Sequence, residues 1–238
     1  MNVDKRALVI GATSGIGKEL ALQLEKSGWL VCATGRRQKL LDELRGMSAE
    51  SRITTHCFDV TDIASLEQNL NAVTQLLGGI ELFIISAGTG FLNPALDPQP
   101  QQETVNTNVQ AFTGLCDWAF KYFLRQHNGH IVAITSVGGL IGEAESPAYS
   151  ASKAYQIMYL DGLRSLVKKN RTPITITEIR PGSVDTAMMK GEGHFWISSA
   201  RKAAALAYKA ITKRKKLQYV SRRWSVIGLI LRLKSLFH

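Results

Sequence analysis

The sequence predicts an α/β fold: a single domain over residues 1–238, built on a doubly wound parallel sheet of about seven strands with helices on both faces. Three observations predict it. Strand-like runs alternate with helical patterns along most of the chain, as βαβ units require. Those runs are continuously apolar, as strands buried on both faces must be. The glycines and polar groups able to do chemistry fall just after the runs, and ligands of such sheets sit beyond the carboxyl ends of the strands.

Lys5–Ile10 reads as the first buried strand, followed by Gly11-Ala-Thr-Ser-Gly15-Ile-Gly17 and a helical pattern through Leu20, Ala21 and Leu24. Trp29–Thr34 is the second strand, ending at Gly35-Arg36-Arg37, and Gln38–Met47 is helical. Ile53–Phe58 is the third strand, closed by Asp59-Val60, and Ala64–Leu77 is helical. Ile80–Ile85 is the fourth strand and runs into Ser86-Ala87-Gly88. Thr89–Gln102 carries three prolines and reads as loop. Val105–Arg125 reads as one long helix, His130–Thr135 as the fifth strand and Tyr149–Lys169 as a helix. Ile174–Ile179 is the sixth strand, Ser198–Lys216 is helical, and Leu217–Val220 is the seventh strand. No linker or internal repeat divides the chain.

A hydrophobic content of 45% with 20% charged residues is that of a globular protein. The three cysteines are widely spaced; Cys32 and Cys57 lie in strand-like runs and suit reduced, buried thiols of a cytoplasmic protein better than disulfides. No Cys/His cluster has metal-ligand spacing, so no metal is expected, and the histidines outside residues 187–197 read as surface or strand-edge residues. The N-terminus shows no signal-peptide pattern. The net charge of +10 is unevenly spread: eleven of the 29 Lys and Arg lie in residues 201–238, which hold no acid. The rest of the chain is near neutral. A domain with a basic end differs from a basic protein, and no reading motif supports nucleic-acid binding.

The glycines of Gly11-Ala-Thr13-Ser14-Gly15-Ile16-Gly17 stand between a strand and a helix. There they permit a tight turn and close approach of backbone to a phosphate, whose charge the helix N-terminus favours. This is a Rossmann-type dinucleotide turn, with three residues rather than one between its first two glycines. The end of the second strand selects the cofactor. An acid there would bind a ribose 2′-hydroxyl; the chain has Arg36 and Arg37 instead. Arginine accommodates a 2′-phosphate through charge-assisted hydrogen bonds, so NADP(H) is expected over NAD(H). Arg36 is the better candidate for the phosphate and Arg37 for stacking on the adenine.

Tyr149 and Lys153 are four residues apart on a predicted helix, hence on one face, with Ser136 thirteen residues upstream. An ammonium beside a phenol favours the phenolate and is expected to lower the phenol's pKa, allowing proton exchange with a carbonyl oxygen near neutral pH.

Together these residues resemble the short-chain dehydrogenase/reductase family over about Lys5 to Thr186. The family's glycine motif is similar to Gly11, Gly15, Ile16 and Gly17, its adenine-pocket acid to Asp59 beside Val60, and its Asn-Ala-Gly to Ser86-Ala87-Gly88. Its catalytic asparagine, serine, tyrosine and lysine look like Asn108, Ser136, Tyr149 and Lys153, and its Pro-Gly segment like Pro181-Gly182, followed by Val184 and Thr186. Ser86 in place of the usual asparagine is the main departure. The resemblance implies hydride transfer between nicotinamide and a ketone or secondary alcohol. Tyr149 would exchange the proton, Ser136 would orient the oxygen, Lys153 would tune Tyr149 and bind the nicotinamide ribose, and Asn108 would hold a relay water. Val184 and Thr186 would touch the carboxamide. The resemblance also implies a homodimer or homotetramer, paired through the helices after the fourth and fifth strands.

Residues 187–197 fall where the family places a substrate lid, and Met188, Met189, Phe195 and Trp196 there suit an apolar ligand or packing on the body. The extension over 201–238 is basic and partly apolar. Its Arg222–Phe237 stretch is too short to span a bilayer and fits either a peripheral contact with anionic membrane on the inner face or an arm packed on the body. The expected function is an NADPH-dependent carbonyl reductase with an apolar or lipid-linked substrate. The alternative is a non-catalytic NADPH-binding sensor or membrane-associated scaffold.

Overall fold

The computed structural model describes residues 5–186 and 196–234. Strands β1 (Arg6–Ile10), β2 (Leu30–Gly35) and β3 (Ile53–Cys57) alternate with helices α1 (Gly15–Lys26), α2 (Gln38–Gly46) and α3 (Ile63–Leu77). Then come β4 (Leu82–Ile85), α4 (Pro98–Val105), α5 (Phe112–Gln126), β5 (Gly129–Ile134), α6 (Pro147–Asn170) and β6 (Ile174–Arg180). The short strands β7 (Val184–Asp185) and β8 (Ser198–Ser199) precede α7 (Ala200–Thr212), β9 (Leu217–Tyr219) and α8 (Arg222–Lys234).

The main sheet has seven strands in the order β3-β2-β1-β4-β5-β6-β9, and every pairing is parallel. The chain winds outward from β1 in one direction, returns, and winds outward in the other. The reversal lies between β1 and β4, where their carboxyl ends part and leave a crevice. Two apolar cores cover the two faces. One gathers Leu66, Leu70, Phe112, Leu115, Phe123 and Leu160 from α3, α5 and α6. The other gathers Leu20, Leu24, Leu44, Ala203, Ala207 and Ile211 from α1, α2 and α7.

Several expectations are corrected. The stretch Thr89–Gln102 is not all loop, because α4 begins at Pro98. A proline in the first turn has no hydrogen bond to lose there and its fixed φ suits the helix. The long helix expected over Val105–Arg125 is interrupted by a π-helical turn at Asn106–Ala111, joining α4 to α5. The helix expected from Ser198 begins at Ala200, because Ser198 and Ser199 pair with β7 and the Ser199 side chain caps α7 by accepting from Lys202 N at 3.2 Å. Cys57 is exposed, since β3 is an edge strand with one partner. His130 is buried in the central β5, where Nε2 meets Thr177 Oγ1 at 2.8 Å. Of the expected lid, all but Trp196 and Ile197 lies outside the described residues. No helix among the described residues is long and apolar enough to cross a membrane.

Candidate active site

A cleft of about 820 Å³ opens along the carboxyl ends of the strands. All the residues predicted to hold a cofactor line it except Gly17, which lies behind the turn. Ser136, Tyr149 and Lys153 line it too, and Asn108 does not.

The glycine turn follows β1 directly. Gly11 has φ +84°, and a Cβ there would overlap the Ala87 backbone. A Cβ on Gly17 would overlap the Gly11 carbonyl and lie 3.0 Å from Ser86 Oγ. The turn therefore packs on the Ser86-Ala87-Gly88 segment after β4 and leaves room above it for a pyrophosphate. Ser86 N donates to Ile10 O at 2.8 Å, so a backbone bond links β4 to β1 at this point.

Beyond β2, the two arginines take different places. Arg36 is exposed and reaches Asp59 Oδ2 at 3.6 Å, beside the cleft. Burial pushes the Asp59 carboxyl up, but hydrogen bonds from Thr61 and the charge of Arg36 outweigh it and leave the group below the usual carboxylate range. Arg37 turns back over the glycine turn, where Nε donates to Thr13 Oγ1 at 3.1 Å and Nη2 to Ser14 Oγ at 2.9 Å. In this arrangement Arg37 braces the turn rather than reaching toward an adenine. Besides Arg36, Asp59 Oδ1 accepts two hydrogen bonds from Thr61, from its backbone N at 2.9 Å and its hydroxyl at 2.8 Å.

The chemical end is built on β5 and α6. Ser136 follows β5 in extended backbone, and its hydroxyl accepts from Gly138 N at 3.1 Å. Pro147 starts α6, which carries Tyr149 and Lys153 one turn apart. The Lys153 ammonium lies 5.8 Å from the Tyr149 ring centroid and donates to Ile134 O at 3.2 Å and Gln156 Oε1 at 3.0 Å. Burial pushes the Lys153 pKa down to about 8. The expectation of a lowered Tyr149 pKa is corrected. Burial raises it, Glu143 raises it further, and hydrogen bonding with Ser136 lowers it only in part. Lys153 donates to Ile134 and Gln156 rather than to the phenol, and desolvation of the phenolate dominates.

Asn108 sits in the π-helical turn, a feature that often marks functional sites. Its amide is spent on protein: Nδ2 donates to Thr89 O at 2.7 Å and Ser152 Oγ at 3.0 Å, and Oδ1 accepts from Thr89 N at 2.9 Å. Gln156 Nε2 donates to the Asn108 carbonyl at 2.9 Å. Lys153, Gln156 and Asn108 thus form one hydrogen-bonded chain.

Other residues in the cleft were not singled out from sequence. Gly90 lies against the Tyr149 ring, where a Cβ would come within 2.6 Å of Cδ2. Phe91, Leu92, Ile141 and Glu143 line the same cleft. So do Trp224 and Ile227 of α8. Trp224 is buried, its ring overlaps the position a Gly182 Cβ would take, and it meets Trp196 edge-to-face at 6.1 Å. At Trp224, therefore, the C-terminal stretch packs on the body. None of them belongs to a local motif, so no spacing in the sequence points to them.

The family profile described as short chain dehydrogenase matches residues 5–195. An uncharacterized oxidoreductase of Staphylococcus aureus (strain N315) is 30% identical over 187 residues, covering 78% of this chain and 80% of the relative. Among solved structures, a variant of actinorhodin polyketide ketoreductase with NADPH aligns with TM-score 0.77 at 24% identity, covering 90% of this chain and 94% of that one. A short chain dehydrogenase/reductase from Burkholderia phymatum in complex with NAD aligns with TM-score 0.84 at 17% identity, covering 94% and 92%. These two likenesses concern the fold.

Proposed function

The chain belongs to the short-chain dehydrogenase family and is an NAD(P)-dependent oxidoreductase; from that premise we propose that it is an NADPH-dependent carbonyl reductase acting on an apolar or lipid-linked ketone. One observation carries this reading: Ser136, Tyr149 and Lys153 converge at one end of a cleft whose other end holds Arg36. The glycine turn fits a dinucleotide, because a side chain at Gly11 or Gly17 would push the turn off the Ser86-Ala87 segment on which it packs. Gly11, Thr13, Ser14, Gly15 and Ile16 would cradle the pyrophosphate, with Gly17 letting the turn close behind them and Ala87 and Gly88 beneath it. Asp59 and Val60 would flank the adenine and Arg36 would meet the 2′-phosphate. Pro181, Gly182, Val184 and Thr186 would line the nicotinamide end. When bound, the nicotinamide supplies the hydride.

The side chains supply the rest. Tyr149 donates its phenolic proton to the carbonyl oxygen, and its raised pKa keeps that proton in place at neutral pH. Ser136 donates a hydrogen bond to the same oxygen and sets its direction. As the proton leaves, the Lys153 ammonium, 5.8 Å from the ring, stabilises the phenolate. Asn108 and Gln156 position Lys153 from behind. Phe91, Leu92, Ile141, Trp224 and Ile227 give the substrate side an apolar lining.

A homodimer or homotetramer through α5 and α6 fits the 70% exposure of Met158 on α6, and light scattering of the eluting protein reads the mass. The test of function is NADPH consumption with ketones of increasing chain length, beside NADH and beside Tyr149→Phe. Preference for NADH would overturn the assignment of Arg36.

A further inference from the structure

Two acidic residues line the cleft among the described residues, Asp59 and Glu143. Asp59 is satisfied by Arg36 and Thr61. Glu143 has no such cation. It stands between the turn after Ser136 and the start of α6, held in place from three sides. Its Oε2 accepts from Ser146 Oγ at 3.0 Å, its backbone N donates to Ser150 Oγ at 3.2 Å, and its carbonyl accepts from Ser146 N at 3.2 Å. Its Oε1 has no hydrogen-bond partner among the described residues, and it faces the reacting centre. A Cβ built on Gly138 would lie 3.1 Å from Glu143 Oε1, 3.4 Å from Ser136 Oγ and 3.5 Å from Tyr149 Cε1. The free carboxylate oxygen, the orienting hydroxyl and the edge of the proton-donating ring therefore surround one point. A side chain at 138 would crowd all three, and glycine avoids that.

A substrate entering this cleft displaces water from Glu143. A carboxylate stripped of water among Ile141, Phe91 and Leu92 loses its hydration and needs a donor in exchange. The phenol cannot serve, because its proton belongs to the carbonyl oxygen. The Lys153 ammonium donates to Ile134 and Gln156, and no ion pair joins it to Glu143 among the described residues. The donor must come with the substrate.

We propose that Glu143 is a specificity-determining residue that binds a protonated amine on the carbon next to the reacting carbon, so that the substrate is an amino ketone or amino alcohol with an apolar body. This rests on the carbonyl-reductase reading and sharpens its substrate class. An ammonium donates up to three hydrogen bonds and cancels the charge that Glu143 places beside Tyr149. An anionic group at the same carbon meets repulsion, and an alkyl group leaves the carboxylate unpaired.

Three alcohols that differ in one group test this in the oxidative direction with NADP⁺: 1-amino-4-phenyl-2-butanol, 1-phenyl-3-pentanol and 3-hydroxy-5-phenylpentanoate. The expected order of kcat/KM is ammonium, then alkyl, then carboxylate, with at least about a 10-fold step between the first two. Glu143→Gln keeps the shape of the side chain and an acceptor for Ser146. It should compress the whole spread to within about 3-fold, by raising KM for the amino alcohol and lowering it for the other two, while the NADP⁺ affinity holds. Glu143→Asp should restore part of the spread. An alkyl alcohol used as well as the amino alcohol by the unsubstituted enzyme would overturn the proposal, as would a spread that survives Glu143→Gln. If none of the three is oxidised, the reductase reading fails on its own account. Their affinities for the NADP⁺ complex, read by protein fluorescence, then decide Glu143 by the same ordering and the same substitution.

Discussion

The two ends of the cleft are built differently. At the cofactor end, each wall is a turn that directly follows a strand: Gly11–Gly17 after β1, Arg36 and Arg37 after β2, Asp59 after β3, Ala87 and Gly88 after β4. At the substrate end, the walls are side chains brought from far apart: Phe91 and Leu92, Ile141 and Glu143, Trp224 and Ile227. The first end is specified by backbone geometry, which only certain residues permit. The second is specified by packing between elements, which many residues permit. The common chemistry can thus be fixed by short motifs while the substrate varies with side chains that no motif contains.

The sharpest way to break this contrast is at Gly11. Gly11→Val forces a branched residue to φ +84° and into the Ala87 backbone. Calorimetry should find NADPH binding lost by more than about 1000-fold, with stability lowered by about 2 kcal/mol or more. Retained binding would show that the turn tolerates side chains and that its glycines are incidental.

Arg36→Ala probes selectivity at the same end. Loss of a charge-assisted phosphate contact should weaken NADPH binding about 10- to 100-fold while NADH changes by less than about 3-fold. Equal loss for both would assign Arg36 to the rim and return the question to Arg37, which is engaged with Thr13 and Ser14.

Trp224→Ala probes the other end. It removes a buried wall that meets Gly182 and Trp196. The ketone KM should rise about 10-fold, and the NADPH Kd should shift by less than about 3-fold. A larger effect on NADPH than on ketone would erase the division between the two ends.

Most of the cofactor end was legible in the sequence because local rules act there. Gly11, Gly17 and the arginines stand where a strand must turn, and each has a local reason to be what it is. The seven-strand sheet was legible for the same reason, since buried parallel strands are continuous apolar runs. What escaped was set by tertiary contact. Gln156 was invisible because nothing in its own helix says that it will touch the Asn108 carbonyl, 48 residues away. The raised Tyr149 pKa escaped because spacing alone counts the nearby ammonium but not burial or Glu143. The start of α4 at Pro98 escaped because Pro94, Pro98 and Pro100 together suggest loop, although a proline in a first turn begins a helix.

A further expected effect lies in stability at high pH. The Lys153 pKa is near 8 in the fold against an ordinary value of 10.5. Below pH 8 both folded and unfolded chains hold the proton, and the burial penalty is constant. Between 8 and 10.5 the unfolded chain binds more protons, so stability rises with pH. Chemical denaturation should show the unsubstituted protein gaining about 2 kcal/mol on Lys153→Met between pH 7 and pH 10. A parallel pair of stability curves would mean that Lys153 titrates normally.

The central claim is that Tyr149 passes the proton in an NADPH-dependent carbonyl reduction. Its most direct test is NADPH oxidation by the purified protein with 4-phenyl-2-butanone and longer ketones, set beside Tyr149→Phe, with NADPH affinity measured for both. The account predicts turnover that falls about 1000-fold or more in the phenylalanine variant, with NADPH binding unchanged within about 2-fold. Turnover that survives the substitution, or tight NADPH binding with no ketone reduced by either protein, would contradict it.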